Sequence, residues 1–156
     1  MSDLPSHPTP VAYDSLAAAL AAHHIDLPAD QAALLDKYRS LLWEWNEKLN
    51  LTRHTDFESF VIRDVVDSLE LAKLIPQEDE VLDVGSGGGV PGLVLAIIRP
   101  DLQVALCESV GKRARVLEDM VERLGLHVPV FHERAEAHLE DSRYGTVAAR
   151  AVAPIA

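Results

Sequence analysis

Residues 83–92 are the part of this sequence best suited to binding a ligand, because they read Asp-Val-Gly-Ser-Gly-Gly-Gly-Val-Pro-Gly. Glycine tolerates positive φ and has no side chain, so a ligand can lie directly against the backbone of such a loop. The apolar run before the loop predicts a strand and the segment after it a helix, which points free N–H groups at a bound molecule. A plain strand-to-helix turn is the alternative, and the context favours a binding loop.

Two ligand classes fit this loop. Gly87, Gly89 and Gly92 match the G-x-G-x-x-G fingerprint of dinucleotide-binding proteins, which would make the chain a nicotinamide-dependent oxidoreductase. Asp83, followed by Gly85, Gly87 and Gly89, matches D-x-G-x-G-x-G, the pattern of S-adenosylmethionine-dependent methyltransferases. An acid directly before the loop suits a cationic sulfonium better than a diphosphate. We therefore predict S-adenosylmethionine as the cofactor and Asp83, Gly85 and Gly87 among the residues that bind it.

Glu108 follows the next predicted strand, residues 103–107. A carboxylate at that position can accept hydrogen bonds from both hydroxyls of a ribose. A solvated acid at a strand end is the alternative, but a glycine loop on the neighbouring strand favours binding. We predict that Glu108 contacts the cofactor.

The elements that position these residues divide the chain into a helical cap, residues 12–76, and an α/β core, residues 77–156. In the cap, residues 29–49 predict a helix whose apolar stripe has three- and four-residue steps: Leu34, Tyr38, Leu41, Leu42, Trp45 and Leu49. A further helix starts near Thr55, in a capping-box sequence. In the core, strands alternate with helices, which predicts a parallel Rossmann-like sheet with helices on both faces.

The sequence also allows predictions about the two ends of the chain. Residues 1–11 are expected to be a flexible lead-in. The core contains four predicted strands, fewer than a doubly wound sheet usually has, so we expect C-terminal strands to be missing. A cofactor-binding fragment without turnover is therefore a further alternative for the function.

Composition narrows the class of protein. The chain has 156 residues with 25 acidic and 14 basic side chains, a net charge of −11, which argues against a uniformly basic nucleic-acid-binding surface. A lone cysteine excludes a disulfide framework within the chain. Neither a signal-peptide core nor an apolar run of membrane-spanning length is visible. We expect a cytoplasmic monomer with no membrane contact.

Basic residues and histidines offer further candidate sites. Lys112, Arg113 and Arg115 open a predicted helix, the end at which the helix dipole disfavours cations, and this misfit suggests contact with RNA phosphates. A solvated helix face is the alternative.

No His/Cys cluster has metal-ligand spacing, so no metal is expected. Several histidines are expected at the surface or at helix ends: His23, His24, His132 and His138.

Several short blocks together identify a family. They are Trp-Asn-Glu-Lys-Leu-Asn-Leu-Thr at 45–52, Arg-Asp-Val-Val-Asp-Ser at 63–68, the glycine loop, Glu-Ser-Val-Gly-Lys-Arg at 108–113, Arg-Ala-Glu at 134–136 and Ala-Arg-Ala at 149–151. Together they resemble the bacterial ribosomal RNA small subunit methyltransferase G family, also called glucose-inhibited division protein B. The resemblance covers about residues 31–153. The family often has His where this chain has Asp64.

The resemblance implies a class I S-adenosylmethionine-dependent methyltransferase that modifies N7 of a guanine in 16S rRNA. By position, it implies cofactor contacts at Gly85, Val90, Ala135, Glu136 and Arg150. A structural salt bridge is the alternative for Arg150. Guanine N7 has an exposed lone pair and no proton, so the reaction needs no general base, and we assign no catalytic acid–base residue. The substrate is expected to be 16S rRNA or the small ribosomal subunit.

Overall fold

The computed structural model of the chain describes residues 12–149. The predicted lead-in, residues 1–11, and Arg150 lie outside the described residues. The helices are α1 Leu16–Ala22, α2 Ala29–Asn46, α3 Phe57–Ser59, the π-helical segment Phe60–Val66, α4 Asp67–Ala72, α5 Gly92–Ile98, α6 Gly111–Leu124 and α7 Ala135–Asp141. The strands are β1 Glu80–Val84, β2 Gln103–Cys107, β3 Val130–Phe131 and β4 Thr146–Ala149.

The long cap helix α2 forms where the apolar periodicity predicts it, but its stripe is rotated by one residue at its start. Leu35 is completely buried, together with Tyr38 and Leu42, whereas Leu34 is only half-buried. The reason is that α2 packs against both α5 and α6, so it buries a broader face than a single stripe. Leu34, as predicted, packs against the core, but only at the edge of this broader face.

The second cap helix is a continuous helical stretch with an unusual centre. Its N-cap is Asp56, whose Oδ1 accepts a hydrogen bond from the Ser59 N–H at 2.8 Å. The expected capping box, which would have used Thr55, is therefore shifted by one residue. The centre of the stretch, Phe60–Val66, is π-helical, a geometry that occurs often at functional sites. Asp64 lies in this segment and is buried.

The sheet is entirely parallel, with strand order β3-β2-β1-β4. The predicted α/β architecture is thus confirmed. The chain runs outward from β1 to β3 and then returns to place β4 on the other side of β1. In such a sheet the crevice outside the carboxyl end of the central strand is the usual place for a ligand. Here the strand at that position is β1, and the glycine loop follows it directly.

Side chains of the strands alternate between two packing layers, as period-two geometry requires. Val81, Val104 and Leu106 join the main hydrophobic core, which continues into α5, α6 and the cap helices. Leu82, Ala105 and Cys107 form a smaller cluster on the opposite face, against Phe131, Ala135 and Tyr144. The cap and the α/β core therefore share one hydrophobic core, which holds the cap beside the carboxyl ends of the strands.

Candidate functional site

The loop between β1 and α5 presents open backbone at two of its glycines. Gly85 has φ +69° and Gly87 has φ +55°, conformations that favour glycine. A Cβ atom built on Gly85 would meet nothing within 4 Å, and one built on Gly87 would meet only the Gly85 carbonyl oxygen, at 3.9 Å. The Gly85 N–H is anchored by a 2.9 Å hydrogen bond to the Cys107 carbonyl of β2. This side of the loop is free to contact a ligand.

The remaining glycines of the loop face protein instead. A Cβ on Gly88 would lie 2.9 Å from Leu42 Cδ1, and one on Gly89 would lie 2.7 Å from Leu93 Cδ1. A Cβ on Gly92 would lie 2.5 Å from Asp83 Oδ2. The same glycine run therefore has an open face at its start, which we predict to be the ligand face, and a packing face at its end.

Two buried carboxylates fix the shape of this loop. Asp83 is fully buried, and its Oδ2 accepts from the Gly92 N–H at the start of α5, at 2.9 Å. Glu108 is 3% exposed, and its Oε1 accepts from the Gly87 N–H while its Oε2 accepts from the Val110 N–H, both at 2.9 Å. Glu108 thus ties the loop after β1 to the loop after β2. Direct contact of Asp83 and Glu108 with a cofactor stays a prediction.

A cavity of about 250 Å³ includes Gly85 in its lining. It brings together residues from the carboxyl ends of β1 and β2 and from the start of α7: Val84, Gly85, Cys107, Ser109, Glu133, Arg134, Ala135 and Glu136. We call it the small cavity. Ala135 and Glu136, both implied by the family resemblance, line it side by side, next to the glycine loop.

A second cavity, of about 660 Å³, also includes Gly85 in its lining and lies between the glycine loop and the helical cap. We call it the large cavity. Its lining comes from both parts of the molecule: Leu42, Asn50, Leu51, Thr52, Arg53, His54, Asp64, Gly85, Ser86, Gly87, Gly88 and Val90. Gly85 belongs to both cavities, so a single extended ligand could cross the loop at this residue.

Sequence reasoning missed the cap side of the large cavity. Residues 50–54 and Asp64 line it, yet no binding role was predicted for them. The signal was present, because Asn50, Leu51 and Thr52 belong to one of the blocks that carry the family resemblance, and Asp64 stands where the family often has His. The block carries the family resemblance, but nothing in the spacing of its residues shows that it faces the glycine loop.

The predicted RNA-binding residues Lys112, Arg113 and Arg115 are all exposed on the first turns of α6. The start of this helix at Gly111 agrees with the sequence prediction. The structure places these side chains on the molecular surface beside Ser109, which lines the small cavity. RNA contact at these residues stays a prediction.

His138 differs from its expected place at the surface. Its side chain is buried, with Nε2 2.6 Å from the Tyr144 hydroxyl and Nδ1 in contact with the Glu133 carboxylate. Its ring packs against Phe131, with centroids 4.3 Å apart. A helix of seven residues spans fewer than two full turns, so its apolar period is too short to reveal such burial.

Cys107 lines the small cavity but is not activated as a nucleophile. Burial raises the pKa of its thiol, and the nearby carboxylates of Glu133, Glu108 and Glu136 raise it further. The neutral thiol donates to the Glu133 carbonyl oxygen at 3.2 Å. The reactive form of cysteine is the thiolate, so covalent chemistry at this residue is disfavoured.

Two structural absences concern only residues 12–149. Within that range, none of the helices combines the length and the apolar character that a membrane crossing needs. In the same range, no three His, Cys, Asp or Glu side chains are grouped so that they could hold a metal ion.

Solved structures define the class of fold. A putative protein-L-isoaspartate O-methyltransferase from Plasmodium falciparum, in complex with S-adenosyl-L-homocysteine, matches with a TM-score of 0.53 at 16% identity, over 86% of this chain and 71% of that one. Coclaurine N-methyltransferase matches with a TM-score of 0.52 at 16% identity, over 86% of this chain and 47% of that one. At this identity the likeness shows the fold alone, the Rossmann-like fold of class I methyltransferases.

Sequence comparison places the chain within one family of that class. The family described as GidB, rRNA small subunit methyltransferase G, matches residues 31–156, and the chain belongs to it. Ribosomal RNA small subunit methyltransferase G of Rhodopirellula baltica is 56% identical over 118 residues, covering 76% of this chain and 51% of that protein. The protein of that name from Halorhodospira halophila is 45% identical over 133 residues, covering 85% of this chain and 63% of that protein.

These matches confirm the family resemblance and lend no support to the oxidoreductase alternative. The chain spans between half and two thirds of the length of these two relatives.

Proposed function

We propose that the protein binds S-adenosylmethionine and transfers its methyl group to N7 of a guanine in 16S rRNA. The observation that carries this proposal is the glycine loop at the carboxyl end of β1, whose Gly85 lines two cavities. A nucleoside fits the scale of the small cavity, and the large cavity leaves room for the methyl group to meet a base. Membership of the methyltransferase G family supports the substrate.

The residues present suit this cofactor. Gly85, Gly87 and Val90 would hold it along the loop, and Ala135 and Glu136 would hold it in the small cavity. When bound, S-adenosylmethionine supplies a methyl group on a positively charged sulfur. The small cavity is lined by the carboxylates of Glu133 and Glu136 against one guanidinium, Arg134, a balance that favours a cation over a diphosphate.

Glu108 and Asp83 hold the glycine loop in place through hydrogen bonds to backbone N–H groups. Glu108 has a second acceptor position on each oxygen, so it can hold the loop and still accept from ribose hydroxyls. Asp83 holds the start of α5 through the Gly92 N–H, and we propose that it also contributes to cofactor binding, as the D-x-G-x-G-x-G pattern predicts.

The chemistry needs orientation more than proton transfer. Guanine N7 already offers its lone pair, so the protein must bring N7 into line with the methyl group and the sulfur. Excluding water from the large cavity assists, because the positive charge moves from sulfur to the base during transfer. We propose no general acid or base and no metal in this step.

The acidic chain must still approach RNA. We propose that Lys112, Arg113 and Arg115 contact phosphates, since they form an exposed local group of cations on α6. The partner is 16S rRNA or the small ribosomal subunit.

We also propose that the protein acts as a monomer in the cytoplasm, where ribosomal RNA is modified.

Methyl transfer to RNA tests the proposal. The chain is incubated with S-[methyl-³H]adenosylmethionine and either small ribosomal subunits or naked 16S rRNA from cells that lack the modification. Label in the RNA, together with chain cleavage at one guanine under conditions specific for N7-methylguanine, is the expected result. Cofactor binding without label in either substrate would support a binding fragment without turnover.

A further inference from the structure

The sequence block that contains Trp45 and Asn46 has no role in the cofactor site described above, yet it builds one wall of the large cavity. After α2 ends at Asn46, residues 50–54 form a loop, which we call the cap loop. All five of its residues line the large cavity, directly across from the glycine loop. A loop that forms a cavity wall can contact whatever enters that cavity.

The cap loop is held by side chains of α2. Asn46 Oδ1 accepts from the Leu51 N–H at 2.8 Å and from the Thr52 N–H at 2.9 Å. Trp43 Nε1 donates to the His54 carbonyl oxygen at 3.1 Å. One amide oxygen and one indole thus fix both ends of the loop, and such preorganisation is what a binding surface requires.

The cap loop also touches the glycine loop. A Cβ on Gly88 would lie 3.3 Å from the Leu51 carbonyl oxygen, so the two backbones pass close together. Tyr38 of α2 donates its hydroxyl to the Gly88 carbonyl oxygen at 2.7 Å. Direct contacts at Gly88 therefore fix the position of the glycine loop relative to the helical cap.

The lining of the cap loop has the chemistry that a nucleotide needs. Asn50 and Thr52 offer hydrogen-bond donors and acceptors for the edge of a base. Arg53 is exposed, and among residues 12–149 no carboxylate forms an ion pair with it. A guanidinium in this position can bind a phosphate with two parallel hydrogen bonds.

We propose that the acceptor nucleotide of the RNA is held in the large cavity against the cap loop. Arg53 binds a phosphate next to the target base, and Asn46 is a positioning residue that keeps the loop in place. This inference rests on the proposed function and adds to it the side from which the RNA base enters. It assigns RNA contact to the helical cap, in addition to the cations of α6.

The first test changes Asn46. Asn46→Leu keeps the approximate size of the side chain and removes the acceptor, whereas Asn46→Asp keeps an oxygen for the Leu51 and Thr52 N–H groups. We expect Asn46→Leu to weaken RNA binding, measured by filter retention, about tenfold. Asn46→Asp should restore affinity to within about threefold of wild type. Affinity for S-adenosylhomocysteine should stay unchanged in both variants.

A uniform loss of RNA and cofactor affinity in Asn46→Leu, or failure of Asn46→Asp to restore RNA affinity, would overturn the positioning role. Thermal unfolding of each variant identifies a general loss of folding.

The second test changes Arg53, whose side chain is exposed. Arg53→Ala should lower RNA affinity about fivefold and reduce the dependence of log K on log salt by about one. Lys37→Ala, which removes an exposed cation from α2, is the matched control and should stay within about twofold of wild type. Equal effects of the two variants would overturn the proposal.

Failure of this inference is distinguishable from failure of the proposed function. If the wild-type chain binds neither S-adenosylhomocysteine nor RNA, the proposed function fails. If the wild-type chain binds both and Arg53→Ala behaves like Lys37→Ala, only the role of the cap loop fails.

Discussion

The two loops that face each other across the large cavity are held in different ways. The glycine loop depends on backbone freedom at Gly85 and Gly87 and on the buried carboxylates of Asp83 and Glu108. The cap loop carries ordinary side chains and depends on one amide, from Asn46, and one indole. The glycine loop therefore offers open backbone against which a ligand could lie closely. The cap loop instead presents side chains that could distinguish one ligand from another.

The largest expected effect is a loss of stability caused by a substitution on the packing face of the glycine loop. In Gly92→Ala the new Cβ would lie 2.9 Å from Asp83 Cβ and would also clash with Leu106, so the buried carboxylate must move away from the Gly92 N–H. We expect a loss of about 3 kcal/mol in the free energy of unfolding, measured with urea. Gly85→Ala, which meets open space but has positive φ, should cost only about 1 kcal/mol. Similar losses in the two variants would contradict the division of the loop into two faces.

Gly87→Val tests the ligand face. The branched side chain would project into open space beside the loop, where the cofactor is proposed to lie. Binding of labelled S-adenosylmethionine, measured by equilibrium dialysis, should weaken at least about 100-fold, which corresponds to about 2.7 kcal/mol. The protein should remain folded, with a moderate loss of stability from the positive φ. Wild-type affinity in this variant would show that the ligand lies elsewhere.

Glu108→Gln tests how the loop after β1 is tied to the loop after β2. The amide can accept from only one of the two N–H groups that the carboxylate satisfies, those of Gly87 and Val110. We expect about tenfold weaker cofactor binding. Glu118→Gln, on the exposed side of α6, is the control and should leave affinity unchanged. An unchanged affinity in Glu108→Gln would mean that this acid does not shape the site.

Tyr38→Phe tests the contact between the two walls and should have the smallest effect. Phenylalanine keeps the packing against Phe60, whose ring centroid is 6.3 Å away, and removes the hydrogen bond to the Gly88 carbonyl. We expect about 1 kcal/mol of lost stability by urea unfolding. Cofactor affinity should fall less than in Glu108→Gln. A larger effect on binding than that variant shows would reverse the order of importance argued here.

Sequence reasoning predicted the core better than the cap for a physical reason. Short apolar runs separated by a glycine loop determine β1, the loop and α5 almost locally, and the four predicted strands are all present. Asp83 is predicted to contact the cofactor; the structure shows that its Oδ2 accepts from the Gly92 N–H at the start of α5, a contact that the sequence pattern does not indicate. The pattern predicts which residues lie at the carboxyl end of β1 but not which hydrogen bonds each of their side chains makes.

The cap loop could not be predicted in the same way. Asn46 acts on Leu51 and Thr52 only after the chain turns back at the end of α2, and neither helical period nor composition encodes that turn. His138 illustrates the same limit, since its burial depends on Phe131 and Tyr144, which come from outside its helix.

Titration calorimetry of the chain with S-adenosylhomocysteine, and separately with NADH, tests the central claim most directly. We predict that S-adenosylhomocysteine binds one molecule per chain and that NADH gives no heat beyond dilution. Saturable NADH binding together with no response to S-adenosylhomocysteine would contradict the assignment of the glycine loop.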